Sequence, residues 1–187
     1  MHNEASEEKI KSLQDPNIFH IATHGFFLGD GNEIDKNRLF LNDVQEKQNP
    51  LLRSGLVMKN GGKLFDTHNI YKFNNEEGVL TAYEAMNLHL DNTDLVVLSA
   101  CESATGEVAT GEGVYGLQRA FLVAGAKSII ISLFKVSDTV TEELMAIFYK
   151  RWVETGDKRG AFIYAKKQIR EKYQQSNYWS PFIMMGV

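Results

Sequence analysis

The chain has 187 residues, a mass of 21.1 kDa and 43% apolar residues, which fits one domain with a real core and argues against wholesale disorder. Twenty basic residues against 24 acidic ones leave a net charge of −4, and no Lys/Arg cluster suited to phosphates stands out, which argues against nucleic acid as a direct partner. No apolar run reaches the roughly 18 residues of a membrane span, Met1-His2-Asn3-Glu4 does not read as a secretory signal, and the single cysteine, Cys101, rules out an internal disulfide; a reducing, cytoplasmic setting follows as the expectation.

Residues 1–17 read as a lead-in, with a short helix over 4–14 that carries Ile10 and Leu13, punctuated by Asp15-Pro16-Asn17. Residues 18–23 form an apolar run expected as a strand ended by Gly25. Residues 28–78 are irregular, with turn clusters at Gly29-Asp30-Gly31-Asn32 and Asn60-Gly61-Gly62 and short extended pieces over 38–41 and 56–59. A stretch of this length is either a passive surface insertion or a gating or substrate-binding segment.

Thr81 and Glu84 have capping-box spacing, predicting a short helix through Met86. Residues 95–100 are a second apolar strand and residues 102–112 a loop. Val114, Leu117, Phe121 and Ala124 recur at helical spacing before Gly125, and residues 128–133 form a third apolar strand. Thr139 and Glu142 repeat the capping-box spacing ahead of a helix with Val140, Leu144, Ile147, Phe148 and Trp152 on one stripe, stopped at Gly156. A last helix over 160–173 carries Ala161, Ala165 and Ile169, and residues 182–185 close the chain as a strand. Apolar strands alternating with helices predict an α/β fold with a mostly parallel sheet covered on both faces.

In such sheets reactive groups gather at the carboxyl ends of strands. One strand ends in Thr23-His24-Gly25 and another in Ser99-Ala100-Cys101-Glu102. If the two strands are neighbours, an imidazole meets the only thiol. An imidazole stabilises the thiolate and can return a proton to a leaving amine. Gly25 lets backbone approach closely, so its N–H and that of Cys101 could hold an oxyanion. Each residue also has a plainer reading, Cys101 as an inert core thiol and His24 as a structural strand-end histidine. His20 shares a face with His24 on an extended strand and is a rival base, although its place among apolar residues suggests packing. A zinc site from His20, His24 and Cys101 lacks a fourth ligand and any close ligand pair. His68 and His89 stand in loop-like contexts.

Residues 18–26, Ile-Phe-His-Ile-Ala-Thr-His-Gly-Phe, closely resemble the histidine motif of the CHAT family, the caspase-like peptidase domain often found beside tetratricopeptide repeats. Residues 95–106, Leu-Val-Val-Leu-Ser-Ala-Cys-Glu-Ser-Ala-Thr-Gly, resemble its cysteine motif. The similarity continues through residues 111–114, 116–121, 124–128, 132–138 and 178–182, in the family's order. It implies a caspase/hemoglobinase-like three-layer sandwich over 18–187, the arrangement of caspases, metacaspases, separase and gingipains. It also implies a His24–Cys101 dyad that cuts protein or peptide substrates without metal or organic cofactor.

The family usually has Trp where this chain has Phe134 and an acid where it has Ser137, which bears on the pocket rather than on the dyad. By the same resemblance Ser99, two before the cysteine, helps shape the pocket for the residue preceding the cut. Asp138 either lends that pocket a negative charge or N-caps a helix beside Thr139, and Glu102 either binds substrate or is an exposed loop acid. Caspase-like sheets usually have two further strands before the histidine strand, whereas 17 residues precede it here. The chain is therefore expected to lack the first strands of that sheet, as the C-terminal part of a larger protein, with an upstream repeat region or activator as partner, or as a truncated gene product. The alternative is a caspase-fold scaffold that cleaves nothing in this form.

Overall fold

A computed structural model describes residues 5–27, 51–52, 54–59, 61, 78–99, 101–102, 112–134 and 136–187. The expected extended piece at 38–41, most of the irregular 28–78 region and the loop over 103–111 lie outside them.

The central strands are the long apolar runs. Strand β1 is Ile18–Ile21, β5 is Leu95–Leu98, β7 is Ser128–Ser132 and β8 is Phe182–Gly186. They form one sheet in the order β1-β5-β7-β8, with β1, β5 and β7 parallel and β8 antiparallel to β7. Every residue of β5 and β7 is buried, because helices cover both faces. On one face Phe19, Ile21, Val96, Leu98, Ile129 and Ile131 pack with Leu117, Ala120 and Phe121 of helix α3, Glu112–Val123. On the other, Leu95, Val97 and Ile130 pack with two helices, α4 (Asp138–Thr155) and α5 (Lys158–Lys172), through Leu144, Phe148, Ala161, Ala165 and Ile169. Each fully buried Ile, Leu or Phe contributes about 1.5–3 kcal/mol.

Local chemistry sets the helix ends. Gly156 takes φ 69°, the left-handed stop that glycine adopts without Cβ strain, and Asp157 then N-caps α5 by accepting from the Gly160 N–H at 2.8 Å. The Thr81–Glu84 capping box forms in full around helix α2, Ala82–Ala85, with Met86 as its C-cap. The spacing at Thr139 misleads. Helix α4 starts two residues earlier than that spacing predicts, with Ser137 as N-cap and no side-chain cap bond, so Asp138 is the first helical residue rather than the cap. A short helix α1, Glu7–Lys11, occupies the lead-in and buries Ile10.

A second sheet has the order β4-β3-β2-β6, where β2 is His24–Phe27, β3 is Ser54–Val57, β4 is Val79–Thr81 and β6 is Cys101–Glu102. Strand β3 runs antiparallel to both β2 and β4. Gly25 therefore does not end a strand. It lies inside β2, with ladder partners on both sides, and sheet pairing overrides glycine's weak strand preference. The extended piece expected over 56–59 is β3, shifted toward Ser54.

Candidate active site

The chain passes twice from the first sheet into the second, from β1 to β2 and from β5 to β6. The register survives both passages. Ile18 pairs with Leu95 and His24 with Cys101, each 77 positions apart, and Gly25 pairs with Glu102. His24 and Cys101 are thus direct partners on adjacent parallel strands, whose backbones lie about 4.8 Å apart. The His24 side chain is exposed.

Two hydroxyls hold the bend between the sheets. The Thr23 Oγ1–H donates a short hydrogen bond to the Val57 carbonyl at the end of β3. The Ser99 N–H donates to the Ile21 carbonyl at 3.0 Å, and the Ser99 hydroxyl leans on the same carbonyl at 3.5 Å. Ser99, expected at the rim of a substrate pocket, is half-buried and is engaged at this bend. Asp138 is exposed and follows β7, so it stands at the carboxyl edge of the parallel strands, as the bends do. Glu102 occupies β6 opposite Gly25 rather than a loop.

His20 is not packed away as expected. Its residue is exposed, and Nδ1 lies 3.0 Å from the Tyr149 hydroxyl of α4. Partial burial lowers its pKa below the usual histidine value, favouring the neutral ring. The bend at 22–23 places His20 and His24 in different strands, so the alternation that would make them face-mates is interrupted. Among the described residues no group of three or more His, Cys, Asp and Glu side chains is placed to hold a metal ion. No described helix is long and apolar enough to cross a membrane.

Sequence reasoning missed Thr23 and Tyr149. The Thr23 partner lies 34 positions away and the His20 partner 129, and no local spacing encodes either.

The family model of the CHAT domain matches residues 1–187. Tetratricopeptide repeat protein 28 of Mus musculus is 30% identical over 112 residues, covering 59% of this chain and 4% of that protein. The Homo sapiens protein of the same name is 29% identical over 113 residues, again 59% of this chain and 4% of its own length. The chain thus spans about one twenty-fifth of the curated relatives it matches.

Proposed function

This chain belongs to the CHAT-domain family, and from that premise we propose that it is a cysteine endopeptidase of caspase type, built on a caspase-like sandwich. The observation that carries the reading is the register pairing of His24 with Cys101, which brings the only cysteine of the chain beside an exposed histidine. The relatives' repeat character further suggests the effector part of a larger, regulated protein with an upstream repeat region.

The chemistry follows from those two groups. The imidazole of His24 takes the Cys101 thiol proton, and the thiolate attacks the carbonyl carbon of the scissile peptide bond. Negative charge develops on the carbonyl oxygen, where the N–H groups of Gly25 and Cys101 are the proposed donors. Collapse of the tetrahedral intermediate breaks the C–N bond, and the imidazolium returns its proton to the leaving amine. Water then attacks the thioester, with His24 as base, and releases the acid and the thiol. Ser99, Glu102 and Asp138 are proposed to line the substrate site, all at or near the edge where the dyad lies.

A peptide-library cleavage assay on the full-length parent, beside Cys101→Ala, tests this reading. Cleavage by the parent and its loss in Cys101→Ala support it, and equal cleavage by both removes Cys101 as the nucleophile. A pH profile of thiol alkylation separates peptidase from scaffold. A peptidase has a reactive thiol whose profile depends on His24, whereas a scaffold has an inert thiol unmoved by His24→Ala.

A further inference from the structure

Three consecutive residues at the end of β3 carry links to three parts of the molecule. The Val57 carbonyl accepts from Thr23, the residue before His24. The Met58 N–H donates to the Gly78 carbonyl at 2.6 Å, and the Lys59 N–H donates to the Ala5 carbonyl at 3.0 Å. The lead-in therefore touches the same short stretch of backbone that holds the bend in front of the histidine.

The second anchor of the lead-in is Glu7, a carboxylate only 4% exposed. Its Oε2 accepts from the Gly78 N–H at 3.1 Å and the Val79 N–H at 3.3 Å, where the chain enters β4. Its Oε1 accepts from Lys11 Nζ, which also donates to Glu84 Oε1 at 2.8 Å. Glu84 in turn closes the capping box with Thr81 at the other end of β4. Helix α1 thus clasps β4 at both ends, and β4 is bound to β3, which is bound to β2.

Such a clasp has a particular energetic character. Glu7 is buried whereas the Lys11 side chain is 33% exposed, so the pair gains little net stability, yet removing Lys11 leaves a buried carboxylate without its ammonium. Released together, the two charges regain water. Ile10 is the one apolar residue of α1 in the core. These features suit an element with an engaged and a disengaged state.

We propose that Glu7 is a positioning residue for His24. Through Gly78, Met58 and Val57 it fixes the carbonyl on which Thr23 anchors the bend, so the conformation of residues 5–11 sets the reactivity of the His24–Cys101 pair. The inference rests on the dyad reading above.

The test is the pH profile of Cys101 alkylation by iodoacetamide on the full chain, with thermal melts alongside. Glu7→Gln slows alkylation at neutral pH by about fivefold or more and moves the profile toward that of a free thiol. Thr23→Val, which keeps the charges of the clasp, does the same, and Thr23→Ser restores the wild-type profile. The double variant is no slower than the slower single variant, because both act through one carbonyl. If Glu7→Gln does not fold, the Glu7→Gln/Lys11→Met double substitution, which strands neither charge, carries the same cycle with Thr23→Val. A lowered melting temperature with an unmoved profile reduces Glu7 to a structural role and overturns the inference. Independent, multiplying effects overturn the coupling. A wild-type profile unmoved by His24→Ala removes the dyad and this inference together, whereas a profile moved by His24→Ala alone removes only the inference.

Discussion

The Tyr149 hydroxyl lies 3.0 Å from His20 Nδ1, and this contact ties helix α4 to β1, the outermost strand of the first sheet among the described residues. Burial lowers the His20 pKa from its ordinary 6.5 and pushes the Tyr149 hydroxyl up to about 12, so across the neutral range a neutral phenol and a neutral ring share one hydrogen bond, whose direction the imidazole tautomer sets.

A pH dependence follows from that pair. The unfolded chain protonates His20 near 6.5, and the folded chain does so only at a lower pH. Between those values the unfolded state binds more protons, so stability is full above 6.5 and falls as pH drops toward the folded value. Urea melts from pH 7.5 to pH 5 are expected to show this loss, and His20→Gln to flatten it. Tyr149→Phe is expected to cost about 0.5–1.5 kcal/mol at neutral pH. An unchanged slope in His20→Gln would assign the acid sensitivity to other groups.

The capping box at α2 gives a second, lower window. Burial pushes the Glu84 carboxyl up, but its bonds to Lys11 and Thr81 more than offset this and hold its pKa below 4.5. Its stabilisation is therefore present above 4.5 and is lost as pH falls through the depressed value. Thr81→Ala is expected to cost about 0.5–2 kcal/mol at neutral pH, measured by chemical denaturation.

Gly55 sits in β3 between β2 and β4, where a Cβ would come within 2.6 Å of the Leu80 carbonyl oxygen and 2.8 Å of the Phe26 ring. The carbonyl belongs to a strand and cannot turn aside. Gly55→Ala is expected to destabilise by about 1–3 kcal/mol and, by pushing β2, to slow Cys101 alkylation. A variant with wild-type stability and reactivity would show that the two strands can part.

The core and the rim of the molecule should respond differently to truncation. Phe148 is fully buried against Trp152 and Phe162, so Phe148→Ala is expected to cost about 3–5 kcal/mol. Phe134 is 45% exposed after β7, and Phe134→Ala is expected to stay within about 0.5 kcal/mol while altering substrate preference if the proposed peptidase reading holds. Denaturant melts and library cleavage by the two variants decide this.

The amino-acid sequence alone makes the sandwiched strands legible, because Leu95–Leu98 and the Ile129–Ile131 centre of β7 are continuously apolar and only a doubly covered strand tolerates that. It also determined the α2 cap, the stop at Gly156 and the apolar stripe of α5, since caps and helix faces are contacts between residues a few positions apart. It singled out His24 and Cys101 by motif. Long-range contacts set the bend before His24, the continuation of β2 through Gly25 and the seat of Thr23 on Val57. The same holds for the burial of Glu7 against Gly78 and the register partnership of His24 with Cys101. Those partners lie 34, 71 and 77 positions apart. Local periodicity reports which residues leave water, whereas pairing across such distances is fixed by the order in which strands join the sheet, and the entropy of closing so long a loop carries no mark of its partner.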